Sequence, residues 1–149
     1  MPSSFSASNT HSIRTKPIER KKIIMLKFKF LLWALTKMLQ RAVKRNPECA
    51  KYVKGKELVF QMQTRNGIGR HFSIRNGKVS SAAGLTHSPK FTLTFRDAAK
   101  GFAILSAKDG KEAFLTALHN DDLVIAGDFV EVMWFQRLTD YLQPEKGRA

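Results

Sequence analysis

The chain has 149 residues, a formal net charge of +14, 43% hydrophobic residues and one cysteine. That length suits one domain with a real core, and the lone Cys49 excludes an internal disulfide. Residues 1–56 carry 14 Lys or Arg against Glu19 and Glu48, while residues 57–149 carry 12 basic against 10 acidic side chains. The basic excess therefore belongs to the N-terminal third, and the rest is a nearly neutral globular surface.

In chain order, residues 1–22 form a basic tail, rich up to Pro17 in Ser, Thr and Asn with little to bury, and are expected to be flexible. Met25 offers a second potential start, which the sequence does not decide. Residues 23–46 carry a helical pattern from Ile23 to Arg45, with Leu26, Phe30, Trp33, Met38 and Leu39 set among Lys27, Lys29, Lys37, Arg41, Lys44 and Arg45. Its unbroken apolar run, Phe30–Leu35, is far short of the ~20 residues that span a bilayer. No small-residue cleavage site follows Leu35, which argues against a signal peptide. The pattern is that of a basic amphipathic helix, with two readings. It could lie on an anionic membrane surface through Lys27, Lys29, Phe30, Trp33, Lys37 and Arg41, or pack on its own domain.

Residues 47–143 read as the globular domain. Glu57–Thr64 alternates, with Leu58, Phe60 and Met62 on one face. Asn66-Gly67 marks a turn, Arg70–Arg75 alternates again through Phe72 and Ile74, and Asn76-Gly77 turns the chain into a third strand near Lys78–Ala82. After Pro89 closes a loop, Phe91, Leu93 and Phe95 alternate with Thr92 and Thr94. Asp97 can cap a helix through Phe102, Ile104 and Leu105, although Gly101 weakens it. Asp109 and Glu112 give capping-box spacing before Phe114, Leu115 and Leu118.

Asp121–Leu142 organises the domain. Leu123, Val124 and Ile125 form a short strand that stops at Gly127. Asp128, with Glu131 three residues on, caps a long helix in which Val130, Trp134, Leu138 and Tyr141 recur at helical spacing, widened by Phe129, Val132, Met133 and Phe135. Such a helix is either plain core or part of the wall of a ligand cavity. Strands segregated from helices predict an α+β fold, an about five-stranded, mainly antiparallel sheet covered on one face by helices, with an extra N-terminal helix. Residues 144–149 form a C-terminal tail.

Chemistry is sparse. His11, His71, His87 and His119 share no metal-ligand spacing with one another or with Cys49. Gly67-Ile-Gly69 superficially matches a phosphate loop but lies in a hairpin turn, and Asp121-Asp122 reads as a pair of solvated loop acids. Nothing here calls for an active site, a metal or a cofactor. Arg65, Arg70, Arg75 and Lys78, with the basic helix, could contact phosphates, yet no nucleic-acid-binding signature accompanies them. A lone thiol fits a reduced, cytoplasmic setting.

With this order of elements, residues 57–142 resemble the sterol carrier protein type 2 family of lipid-binding domains, in its bacterial single-domain type. The resemblance rests on Phe91-Thr-Leu-Thr-Phe95 followed by an Asp-capped helix, on the helix Lys111–Leu118, and on Leu123-Val-Ile-Ala-Gly127-Asp128 entering the last helix. It implies an apolar tunnel for a fatty acyl, isoprenoid or quinone-precursor, or sterol-like ligand, and carrying without catalysis. The wall residues it implies are Phe91, Leu93, Phe95, Phe102, Phe114, Leu118, Leu123, Ile125, Val130, Met133, Trp134 and Leu138. The ending Gly147-Arg148-Ala149 departs from the address of the peroxisomal members. The expectation is a cytoplasmic lipid carrier, peripheral on the inner face of the membrane, that meets lipid-metabolism enzymes. The alternatives are a basic nucleic-acid-associated adaptor and a protein-interaction module.

Overall fold

Alternating apolar residues build a five-stranded sheet in the computed structural model, which describes residues 17–142. Of the tails expected at 1–22 and 144–149, residues 1–16 and 144–149 lie outside the described residues, whereas 17–22 are the first turns of a helix rather than a flexible tail. The strands are β1 (Leu58–Thr64), β2 (Gly69–Arg75), β3 (Lys78–Ala83), β4 (Phe91–Phe95) and β5 (Leu123–Gly127), in the order β3-β2-β1-β4-β5. β1 pairs antiparallel with β2 and parallel with β4, while β2–β3 and β4–β5 are antiparallel. The expected mainly antiparallel sheet is therefore present, with one parallel pair at its centre. The β2–β3 turn places Asn76 and Gly77 at φ 54° and 74°. Both are left-handed positions, as a two-residue hairpin turn matched to strand twist requires.

Pairing across the register puts Phe72, Phe60 and Phe91 side by side on one face. Phe60 stacks on Phe72 at 5.0 Å and on Phe91 at 4.8 Å, and Phe135 closes on Phe60 at 4.6 Å. These rings fix which face the helices cover. The opposite face is polar: the amides of Gln61 and Gln63 donate to Thr92 and Thr94 across the parallel pair, each at 3.1 Å. Gln61 Oε1 accepts from the backbone N–H of Thr86 at 2.8 Å. The loop joining β3 to β4 is thus tied to the outer face, and Gln61 is buried although it faces away from the helices.

The covering helices are α1 (Pro17–Arg45), α2 (Pro47–Val53), α3 (Ala98–Leu105), α4 (Gly110–His119) and α5 (Phe129–Thr139), followed by a 3-10 turn (Asp140–Leu142). α1 begins at Pro17, ahead of the Ile23 expected from apolar spacing. It buries Phe28, Leu32, Thr36 and Leu39. The Thr36 and Ser81 hydroxyls hydrogen-bond at 2.7 Å, and the Gln40 amide donates to Val79 O at 2.8 Å, clamping α1 over β3. Sequence reading missed α2, although Asn46-Pro47 marks its start: the Asn46 side chain accepts from the N–H groups of Glu48 and Cys49, and proline fits the first helical turn.

The three predicted caps form, with Asp97, Asp109 and Asp128 accepting from the N–H groups of Lys100, Glu112 and Glu131, and Asp128 also from that of Val130. At α5 the reciprocal half of the expected capping box is replaced, because Glu131 pairs with Lys56 Nζ at 2.5 Å instead of reaching back. Gly127, at φ 110°, lies against Lys90 and Phe91, where any Cβ would collide with the Lys90 carbonyl. The corner before α5 therefore admits only glycine.

Candidate functional site: an apolar cavity under the helices

A cavity of about 340 Å³ lies between the ring-bearing face of the sheet and the helices. Its floor is Met62, Leu93 and Phe95, and α1 contributes Leu31, Leu35 and Met38. The α3–α4 corner supplies Ile104, Leu105, Gly110, Lys111 and Phe114, and the far wall is Phe135, Gln136, Thr139, Asp140 and Leu142. The floor residues are at most 2% exposed, so they sit in close-packed surroundings that resist deformation.

The lining has few groups able to do chemistry. Ser106 and Thr139 also line the cavity, but their hydroxyls donate to the carbonyls of Phe102 and Gln136, each at 2.6 Å. Lys111, Gln136 and Asp140 remain as polar side chains along the edge of an otherwise apolar space. Among the described residues no group of His, Cys, Asp and Glu is arranged to hold a metal. Such a lining suits the desolvation of an apolar molecule with a small polar end.

α1 presents a second surface. Away from its buried stripe, Ile23, Leu26, Phe30 and Trp33 are exposed, Leu26 and Phe30 by more than 60%. Phe30 and Trp33 contact each other at 5.6 Å, and the Lys37 ammonium stands 5.6 Å from the Trp33 ring. Lys27, Lys29, Lys37 and Arg41 are exposed around this patch. Among the described residues no helix is long and apolar enough to cross a membrane.

No protein-family model matches the chain, and no curated protein is detectably similar to it. Solved structures are. A structure titled UbiJ-SCP2 ubiquinone synthesis protein aligns over 77% of this chain and 97% of its own, with a TM-score of 0.58 at 13% identity. Sterol carrier protein domain 2 of Helicoverpa armigera aligns over 75% and 87%, with a TM-score of 0.55 at 16% identity. A crystal structure of sterol carrier protein 2 aligns over 74% and 94%, with a TM-score of 0.50 at 14% identity. The chain has the sterol carrier protein 2 fold.

Within that fold the twelve wall residues implied by the resemblance separate. Leu93, Phe95 and Phe114 meet in the cavity. Phe91, Leu123 and Leu138 are buried in the core outside its lining, and Phe102, Leu118, Ile125 and Trp134 are half-buried outside it. Val130 and Met133 are 74% and 46% exposed. α5 turns Val132, Phe135 and Leu138 inward, which leaves Val130 and Met133 on its outer side.

Trp134 stacks on Tyr52 at 4.8 Å, under the Lys56 ammonium at 4.7 Å, and its carbonyl accepts from the Tyr52 hydroxyl at 2.8 Å. That cluster ties α2 to α5. Burial pushes the Tyr52 phenol up, with Arg137 opposing, and burial also pushes the Cys49 thiol up.

The α1 wall was not foreseen, because the aromatic and basic residues of that helix drew attention to its outer face. Leu31, Leu35 and Met38 nevertheless follow i, i+4, i+7 spacing, the mark of a second apolar stripe. Of the four cations considered for phosphate contact, Arg70 donates to Ser81 at 2.7 Å and Arg65 to the Asp121 carbonyl at 3.0 Å. Both serve the fold.

Proposed function

We propose that this chain is a non-catalytic carrier that holds one hydrophobic lipid in the cavity between sheet and helices. The observation that carries the reading is the apolar lining, in which Leu31, Leu35, Met62, Leu93, Phe95, Phe114 and Phe135 converge with only three polar side chains uncommitted to the backbone. Burial at roughly 25 cal/mol per Å² of apolar surface gives useful affinity without a specific polar contact. The shared fold of proteins titled as sterol carriers supports the same reading.

The reading extends to how the carrier meets lipid. The exposed patch of Leu26, Phe30 and Trp33 among Lys27, Lys29, Lys37 and Arg41 has the composition of a helix lying in an anionic membrane interface. Each basic residue near such a surface contributes about 1 kcal/mol. The protein would work at the cytoplasmic face of a membrane, loading or delivering its lipid to enzymes there.

Uptake of a fluorescent acyl probe, competed by unlabelled lipid, tests the carrier reading. Saturable one-to-one uptake is expected, and no uptake by folded protein would contradict it.

A further inference from the structure

The size of the cavity and the clamping of its lid limit what it can hold. Resting on the carrier reading above, we infer that the ligand is a single acyclic hydrocarbon chain with about eleven carbons enclosed. Its polar end would lie beside Lys111, Gln136 and Asp140. A methylene takes up about as much room as a water molecule in the liquid, ~30 Å³, so 340 Å³ accommodates about eleven of them.

A sterol nucleus and side chain hold more than twice that number of carbons, much of it in a rigid plate. Admitting one would require α1 to lift from the sheet. Two hydrogen bonds oppose that movement, Thr36 to Ser81 at 2.7 Å and Gln40 to Val79 O at 2.8 Å. So does the packing of Phe28 against Gly101 and, edge-on at 5.9 Å, against Phe95. The floor is no easier to move, since Met62, Leu93 and Phe95 belong to the paired strands β1 and β4. Longer chains therefore leave their excess methylenes at the mouth, in water.

The consequence is a break in chain-length dependence. Each enclosed methylene is worth about 0.8 kcal/mol, or about four-fold in affinity. Binding of n-alkanoic acids and n-alkanols from six to eighteen carbons, measured below their micelle concentrations, should tighten about four-fold per carbon up to about eleven and then level off.

Leu105→Ala and Leu142→Ala, both in the lining, each remove three carbons of side chain and should move the break to about fourteen carbons. If one variant fails to fold, the other and the unmodified protein still give the test. Affinity that keeps rising through hexadecanoate in the unmodified protein, or a sterol bound more tightly than dodecanoate, would overturn the size limit and leave the carrier reading standing. Failure of folded protein to bind any chain would refute the carrier reading itself.

Discussion

The ring of Phe28 occupies the space where a side chain at Gly101 would stand. A Cβ added to Gly101 would come within 2.9 Å of Phe28 Cδ1 and nearer still to Cε1, so a glycine that weakens α3 in isolation lets α1 and α3 approach over the sheet. Gly101→Ala gains up to about 1 kcal/mol of helix propensity but overpacks a site where such strain costs about 1–3 kcal/mol. A net loss of about 1–2 kcal/mol is expected in urea unfolding. Adding Phe28→Leu should recover part of it, because contacting sites are not additive; strictly additive losses would show that the contact does not couple them.

Cavity wall and core are expected to respond differently. Leu93→Phe pushes extra volume into the cavity from a floor residue that is 2% exposed. It should lower lipid affinity at least ten-fold while changing stability by less than about 1.5 kcal/mol. Trp134→Ala removes the partner of Tyr52 and Lys56 outside the lining. It should cost about 2–3 kcal/mol, less than a fully buried Trp, with lipid affinity preserved in the folded fraction. Calorimetric titration beside thermal melts separates the two effects.

On α1, Phe30→Ser with Trp33→Ser strips the exposed patch without touching Phe28, Leu32 or Leu39 on the buried side. Stability should change by under about 1 kcal/mol, as for surface positions, while cosedimentation with vesicles rich in anionic lipid should fall several-fold. Unchanged cosedimentation would remove the membrane role of this face.

Tyr52 supplies a pH dependence with a definite sign. Burial raises its folded pKa above the usual tyrosine value, so the neutral phenol is the form that folding favours. This contribution is fully present below about pH 10, the unfolded tyrosine value, and is lost as pH rises through the folded pKa. Tyr52→Phe should lose about 1 kcal/mol at neutral pH with the hydrogen bond to Trp134 O. Above pH 10 its stability should fall less steeply than that of the unmodified protein. Parallel curves from pH 8 to 11 would assign the alkaline loss to other groups.

Strand alternation, the Asn76-Gly77 turn and the three aspartate caps were legible because they are written in local spacing. So was the sheet-and-helix class, down to the corner at Gly127. The cavity was legible only in outline. Periodicity marks α5 as apolar on several sides, but only the packed fold tells Phe135, which faces the cavity, from Val130, which faces solvent. The α1 wall was hidden for a related reason. A helix with two apolar stripes shows its aromatic, lysine-flanked one more plainly than the Leu31, Leu35 and Met38 stripe beside it. The parallel pairing of β1 with β4 depends on long-range packing that no local pattern records.

The most direct measurement is native mass spectrometry of freshly purified protein, followed by organic extraction and identification of what is released. The account predicts one lipid per chain, single-tailed and free of fused rings. Folded protein that carries a fused-ring lipid, or that carries nothing and takes up no offered single-chain lipid, would contradict it.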